Sequence, residues 1–140
     1  MTTAVDTNIF IAFWDRTDSL NASARSAIDS ALARGSLVIA APVYTELLAF
    51  PSRNEAFLDF FLNDTGILVD WNLEEDVWRA AGRAFQDYAA RRRRREGLGP
   101  RRILADFLIG AHALRRGCRL LTLDDRLYRA AFPRLAVESV

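Results

Sequence analysis

One carboxylate interrupts an apolar run in the stretch Ile103-Leu104-Ala105-Asp106-Phe107-Leu108-Ile109-Gly110-Ala111. If this run is helical, Ile103 and Gly110 lie beside Asp106 on the helix surface, three and four residues away. Because that face is apolar or small, we expect Asp106 to point toward the body of the protein. A charge in such a place is costly unless a partner offsets it, and a cation is a natural candidate.

The composition indicates a globular protein with an ordinary core. Of 140 residues, 51% are hydrophobic and 26% are charged, unlike a disordered chain. The apolar runs are far shorter than the ~20 residues needed to span a bilayer, and the N-terminus lacks the features of a secretory signal. One cysteine, Cys118, excludes an intramolecular disulfide and fits a reducing compartment. We therefore expect one soluble, cytoplasmic domain over residues 1–140, without a membrane segment.

Arginine carries all of the side-chain positive charge, because the sequence contains no lysine. This excludes mechanisms that need a catalytic lysine. The formal net charge is only +1, but Arg91–Arg95 form a continuous basic run. The run has two interpretations. It can be a solvated helix end, where cations oppose the helix dipole, or it can bind RNA phosphates, and the RNA-binding candidates are then Arg92, Arg93 and Arg94.

Strand-like and helix-like segments alternate along the chain. Short apolar runs that suit strands lie at Thr2–Val5, Leu37–Ala41, Gly66–Val69, Arg119–Thr122 and Leu135–Val137. Segments with helical spacing lie between them, and residues 97–100 form a glycine- and proline-containing loop. This alternation predicts an α/β layer sandwich with a mainly parallel sheet of four to five strands. In such sheets, ligands bind beyond the carboxyl ends of the strands.

Four carboxylates are predicted to meet at that edge. Asp6 ends the first strand and Asp124 follows the fourth, while Glu46 and Asp106 are predicted to lie early in helices that begin there. Clustered carboxylates raise one another's pKa, and Mg²⁺ or Mn²⁺ is the usual counterpart because these ions prefer oxygen ligands. Such ions activate water and assist phosphoryl transfer. A zinc site is not indicated, since His112 is the only histidine.

Each acid also has a plainer interpretation. Asp6 could cap the helix that follows it, and Glu46 could be a solvated helix residue. Asp124 or Asp125 could cap the next helix in the same way. Asp106 is the acid that a role as a helix cap or a solvated surface residue explains least well. The four together are more specific than any one alone.

Four motifs follow one another in order: Asp6-Thr7-Asn8 after an N-terminal strand, Glu46 forty residues later, Ala105-Asp106 at the opening of a helix, and Thr122-Leu123-Asp124. Their order and spacing resemble those of the PIN domain family, and within it the VapC-type ribonuclease toxins of bacterial toxin–antitoxin pairs. The resemblance covers nearly the whole chain. It implies a PIN-like three-layer sandwich that forms a single nuclease domain over residues 1–140.

The resemblance also implies metal-dependent endonucleolytic cleavage of RNA by a water that Mg²⁺ (or Mn²⁺) activates. The catalytic and metal-binding acids would be Asp6, Glu46, Asp106 and Asp124. Asn8 and Thr122 would support them through hydrogen bonds. Asp125 doubles the last acid, and the Thr-x-Asp spacing favours Asp124. A small antitoxin protein and a homodimer are further implied partners.

Other function classes fit less well. A phospho-receiver domain needs a lysine, and a haloacid-dehalogenase-type phosphatase needs a second aspartate where Asn8 stands. The alternative that stays open is a PIN-like module that binds RNA or a partner without nuclease activity. Four intact acids argue against it.

Apolar residues are plentiful in the first helices and again near residue 60. They are Ile9, Phe10, Ile11, Phe13, Trp14, Phe57, Phe60 and Phe61. They either fill the core or leave an apolar groove that would take an amphipathic helix of the antitoxin.

Overall fold

The computed structural model describes residues 1–96 and 104–140, in which strands and helices alternate. The first part contains β1 (Thr2–Val5), α1 (Thr7–Trp14), α2 (Asn21–Arg34), β2 (Ser36–Ala40), α3 (Ala41–Leu48), α4 (Glu55–Thr65), β3 (Leu68–Asp70) and α5 (Glu75–Glu96). The second part contains α6 (Leu104–Arg115), β4 (Arg119–Thr122), α7 (Asp125–Ala131) and β5 (Val137–Ser139). The predicted loop at 97–100, and Ile103 beside Asp106, lie outside the described residues.

The described strands form one sheet in the order β3-β2-β1-β4-β5. Every neighbouring pair in it is parallel, which confirms the predicted α/β class and a sheet of five strands. β1 lies in the middle, between β2 and β4. Because all the strands point the same way, the residues that follow β1 and β4 lie side by side at the carboxyl edge of the sheet.

Local sequence accounts for most helix boundaries. Gly35 follows α2, and Gly66 ends α4 with a φ of 73°, in the left-handed region that glycine adopts without strain. Pro42 lies in the first turn of α3, where its missing N–H costs nothing. The Asn54 side chain caps α4 by accepting a hydrogen bond from the Phe57 N–H at 2.8 Å.

Several strand boundaries differ from the sequence prediction, since β2 spans Ser36–Ala40 and not Leu37–Ala41, and β3 spans Leu68–Asp70 and not Gly66–Val69. The arginine run forms the end of α5, which continues to Glu96, because arginine is a strong helix former and its cations suit a helix C-terminus. The last strand begins at Val137 and not at Leu135. The Leu135 N–H instead donates to the Phe132 carbonyl at 2.9 Å in the turn after α7.

Some of the aromatic side chains in α1 and α4 lie in the core, and others lie at the surface. Phe10 and Ile9 are fully buried, whereas Phe57 is 37% exposed and Phe60 is 71% exposed on α4. Cys118 is a buried free thiol. No helix in the described residues is long and apolar enough to cross a membrane.

A buried polar contact joins the end of α6 to the end of β3. His112 is 1% exposed, and its Nε2 lies 3.0 Å from Asp70 Oδ2. The Arg116 Nε donates to the same oxygen at 3.4 Å, and the Asn72 N–H donates to Asp70 Oδ1 at 3.1 Å. Asp70 therefore anchors both the helix and the loop that follows β3.

These contacts set the charge states of the pair. Burial lowers the pKa of His112 below its usual value, although the Asp70 charge opposes the change. The imidazole is therefore neutral at pH 7, and we assign its proton to Nε2. Partial burial favours a neutral Asp70, but hydrogen bonds from Asn72, His112 and Arg116 outweigh it and lower the pKa of Asp70.

We expect the folded protein to lose stability as the pH falls below about 6.5, because His112 takes up a proton more readily in the unfolded chain. His112→Gln retains an N–H donor for Asp70 but does not titrate. It should cost about 1 kcal/mol at neutral pH and flatten the pH dependence between about pH 6.5 and pH 5. Urea unfolding at several pH values measures both effects. A variant with the wild-type pH dependence would show that His112 does not control it.

Candidate active site

Four carboxylates line one pocket at the carboxyl edge of the sheet. Asp6 follows β1, Asp124 precedes α7, Glu46 belongs to α3 and Asp106 lies in the first turn of α6. The pocket has a volume of about 210 Å³, and its other lining residues are Thr7, Asn8, Ile11, Leu127 and Tyr128. The structure thus brings the four predicted acids together, while their role as metal ligands stays a prediction.

Asp6 is the most deeply placed of these acids, with only 5% of its surface exposed. One carboxylate oxygen accepts the Thr7 N–H at 2.7 Å, and the other accepts the Thr122 hydroxyl at 2.8 Å. Burial raises the pKa of Asp6, hydrogen bonds from Thr122 and Thr7 oppose this, and the charge of Glu46 adds to the rise. Asp6 also occupies the N-cap position of α1, so the interpretation of Asp6 as a helix cap is correct in part.

Thr122 and Asn8, the predicted supporting residues, connect α1 to the turn after β4. The Thr122 hydroxyl is fully buried and accepts the Asp124 N–H at 3.0 Å while it donates to Asp6. Asn8 Oδ1 accepts the Leu123 N–H at 3.1 Å, and its Nδ2 lies 3.5 Å from the Thr122 hydroxyl. These contacts fix the positions of Asp6 and Asp124 relative to each other.

Glu46 reaches the pocket from a later helical position than predicted. It is the sixth of eight residues in α3, and not near the helix start, because α3 begins directly after β2. At a rise of about 1.5 Å per residue, the second turn still lies close to the sheet edge. The Thr7 hydroxyl donates to Glu46 Oε1 at 2.6 Å and orients it.

The two adjacent acids after β4, Asp124 and Asp125, lie in different environments. Asp124 lines the pocket. Asp125 is outside the pocket lining, and its Oδ2 accepts a hydrogen bond from Arg129 Nε at 3.0 Å, one turn along α7. The geometry therefore favours Asp124 over Asp125 as the fourth acid.

Two polar residues of the pocket were not predicted as site residues from the sequence, namely Thr7 and Tyr128. Tyr128 lies one helical turn after Asp124, and this i to i+4 spacing is the signal that could have found it. Its hydroxyl is buried, and the Asp6 carboxylate is the group placed to accept a hydrogen bond from it. Burial, and then the charges of Asp6 and Asp106, raise the pKa of Tyr128, so the hydroxyl keeps its proton.

The pocket's donor set suits a hard divalent cation. Its polar lining offers oxygen atoms from carboxylates, hydroxyls and one amide, and the described lining includes no arginine. As the described side chains stand, no group of three or more His, Cys, Asp or Glu residues is arranged to hold a metal ion. A bound ion would therefore require these carboxylates to move closer together.

The comparison with protein families matches the PIN domain model over residues 3–133. The chain belongs to the PIN domain family. This confirms the family resemblance that the sequence motifs indicated, and the all-parallel sheet agrees with it. The comparison with curated proteins gives no match.

Solved structures of low sequence identity share this PIN fold. VapBC2 from Rickettsia felis, bound to a DNA fragment from its promoter, is 19% identical with a TM-score of 0.67, over 100% of this chain and 99% of that chain. VapBC-1 from nontypeable Haemophilus influenzae is 22% identical with a TM-score of 0.67, over 99% and 98%. FitAcB from Neisseria gonorrhoeae is 19% identical with a TM-score of 0.63, over 96% and 95%.

We expect Mn²⁺ to raise the melting temperature, because an ion that binds only the folded state stabilises it by ~2.7 kcal/mol at about 100 times its Kd. Asp124→Asn should abolish this rise, and Asp125→Asn is the matched control that should keep it. Thermal unfolding and titration calorimetry with Mn²⁺ make the comparison. If Asp125→Asn loses the response and Asp124→Asn keeps it, the fourth ligand is Asp125.

Proposed function

We propose that this PIN domain is a Mg²⁺- or Mn²⁺-dependent endoribonuclease that cleaves RNA with a metal-activated water. One observation carries the proposal, the placement of Asp6, Glu46, Asp106 and Asp124 around one pocket at the sheet edge. A bound divalent ion would supply an activated water and offset negative charge on the phosphate.

The protein's own groups would hold the acids in place for this chemistry. Thr7 and Thr122 fix the Asp6 carboxylate through both of its oxygens. The Thr7 hydroxyl also fixes Glu46, so the two acids share one orienting residue. Tyr128 keeps its proton at the pocket wall, where its hydroxyl can donate a hydrogen bond to Asp6 and help to orient that carboxylate. Such preorganised donors and acceptors reduce the cost of reorganisation during reaction.

The arginine run supports RNA as the substrate. Arg93, Arg94 and Arg95 are exposed in the last turn of α5. The sequence then reaches α6, whose first turn carries Asp106, within seven residues. We propose that Arg92, Arg93 and Arg94 contact RNA phosphates and so hold a strand near the acids, because such contacts are electrostatic and independent of sequence.

A small antitoxin is the protein partner in this proposal, and its surface is the aromatic face formed by α1 and α4. Trp14 and Phe61 lie 5.2 Å apart between ring centroids, and Arg53 stacks 4.4 Å from the Phe57 ring. Phe60 is largely exposed beside them. A solved structure that shares this fold is a toxin–antitoxin complex from Klebsiella pneumoniae, which supports a toxin of a type II toxin–antitoxin pair. The proposal includes a homodimer, as the sequence resemblance implies.

The alternative function is a PIN-like module that binds RNA or a partner without cutting. Its distinguishing result is RNA binding by the wild-type protein with no cleavage at any Mn²⁺ concentration.

We predict that Asp106→Asn keeps the fold but lowers Mn²⁺-dependent RNA cleavage by more than about 100-fold, because the amide weakens metal binding. Cleavage of a mixed RNA pool measures activity, and thermal unfolding verifies the fold. Asp64→Asn, at an exposed position of α4, is the control that should cleave normally. Wild-type activity in carefully purified Asp106→Asn would overturn the assignment of the acids.

We also predict that the product of a neighbouring small open reading frame co-purifies with this chain and inhibits its nuclease. Phe60→Ser should retain cleavage but bind this product at least about 10-fold more weakly, since it removes an exposed aromatic anchor. Leu32→Ser, an exposed apolar position on α2, is the control. A product that neither binds nor inhibits the wild-type chain would reject the antitoxin and leave the nuclease proposal standing.

A further inference from the structure

A second groove opens directly beside the acid pocket. It has a volume of about 520 Å³ and shares Glu46 with the acid pocket. Ala105, the neighbour of Asp106, also lines it, so the two cavities share Glu46 and lie on adjacent residues at the start of α6. Its volume lies within the roughly 300–1,000 Å³ range of small-molecule sites.

Two exposed tryptophans dominate the lining of this groove. Trp71 is 62% exposed and Trp78 is 50% exposed. Tryptophan is a large apolar side chain, and two of them exposed around one concave site indicate an unfilled binding surface. The groove is not part of the aromatic face on α1 and α4, because none of its described lining residues belongs to those helices.

Trp71 is positioned by one ring contact and by the hydrogen-bonded backbone that follows it. Its ring packs edge-on against Tyr44, with 4.8 Å between centroids, and the Tyr44 hydroxyl donates to Asp59 at 2.8 Å. The next residue, Asn72, donates its N–H to Asp70 and accepts Arg116 Nη2 on its carbonyl at 3.2 Å. Trp71 is therefore a preorganised platform, and binding on it needs little ordering of the protein.

The charge of the groove decides which part of a nucleotide fits it. Among its described lining residues, Glu46 is the single ionisable side chain. A phosphate would meet a negative charge and no cation there, whereas a flat, neutral ring can stack on tryptophan. Thr45 and Asn72 also line the groove, where the Thr45 hydroxyl donates to the Ala41 carbonyl at 3.2 Å and Asn72 Nδ2 donates to Glu74 at 2.6 Å. Their side-chain oxygens can still accept hydrogen bonds from the polar edge of such a ring.

We propose that this groove is a nucleobase subsite, in which Trp71 and Trp78 stack one base of a single-stranded RNA beside the acid pocket. The proposal rests on the ribonuclease function proposed above and specifies its substrate as an unpaired strand. The acids and their cation would take the phosphate, and the groove would take the neighbouring base. Stacking tolerates every base, so the subsite favours single strands over duplexes without strict sequence selection.

The experiment measures binding in EDTA, where no cleavage interferes, with an oligoadenylate of roughly ten nucleotides as the probe. Trp71→Ala and Trp78→Ala should each weaken binding roughly 5- to 150-fold, and the corresponding Phe variants should recover most of it. Leu32→Ala is the control for an exposed apolar side chain, and it should bind like the wild type. Tryptophan fluorescence should be quenched by RNA in the wild type.

Two further measurements distinguish base stacking from other contacts with RNA. One abasic site in the probe should weaken wild-type binding more than it weakens binding by Trp78→Ala, because that variant no longer stacks the base. The tryptophan variants should keep the salt dependence of the wild type. Replacing Arg92, Arg93 and Arg94 by Ser should instead lower the slope of log affinity against log salt by roughly 0.7 for each phosphate that the variant no longer neutralises.

The proposal is overturned if folded Trp71→Ala and Trp78→Ala bind the probe as tightly as the wild type, or if the wild type does not bind it. It is also overturned if these variants change only the oligomeric state on a sizing column, since a second copy of the chain would then occupy the groove. Cleavage is scored separately. Normal cleavage with tryptophan-independent binding rejects the subsite alone, and tryptophan-dependent binding without cleavage rejects the nuclease alone.

Discussion

The Thr122 hydroxyl donates a 2.8 Å hydrogen bond to Asp6 across the paired central strands β1 and β4. A buried carboxylate without such donors would be costly. The same hydroxyl accepts the Asp124 N–H, so one side chain positions acids that are 118 residues apart in sequence. Because the backbones of β1 and β4 are joined in register, Val5 beside Leu121, this geometry is fixed by the sheet rather than by mobile side chains.

The same arrangement brings negative charges close together, so the carboxylates repel one another. Burial and the nearby Glu46 raise the pKa of Asp6, so the site resists holding full negative charge unless a cation enters. Proteins commonly lose some stability at sites built for function. Here the buried hydrogen bonds from Thr7 and Thr122 limit that loss, since they favour the charged form of Asp6. The hydrogen bonds thus hold the Asp6 carboxylate in place at a moderate cost in stability, although the four carboxylates would still have to move closer together to share an ion.

The sequence predicted those parts of the site that depend on local pattern. Asp6 and Asp124 follow apolar runs that form strands, and parallel strands must bring their carboxyl ends to one edge. The tryptophan groove depends on how the loop after β3 packs against α3, α5 and α6, which no local pattern records. Gly110 illustrates the difference, because a side chain at this position would collide with the rings of Phe132 and Tyr128. Glycine is therefore needed at position 110 because α7 packs closely against it, and not only because this position lies beside Asp106 on α6.

Helix α3 connects both cavities, although it has only eight residues. Val43 and Leu47, four residues apart, are fully buried and fix its rotation. That rotation turns Glu46 toward the acid pocket and the groove, and it turns Tyr44 toward Trp71. A helix this short is marginal by itself, so its packing supplies its stability. The two buried aliphatic side chains therefore determine where Glu46 and Trp71 stand relative to each other.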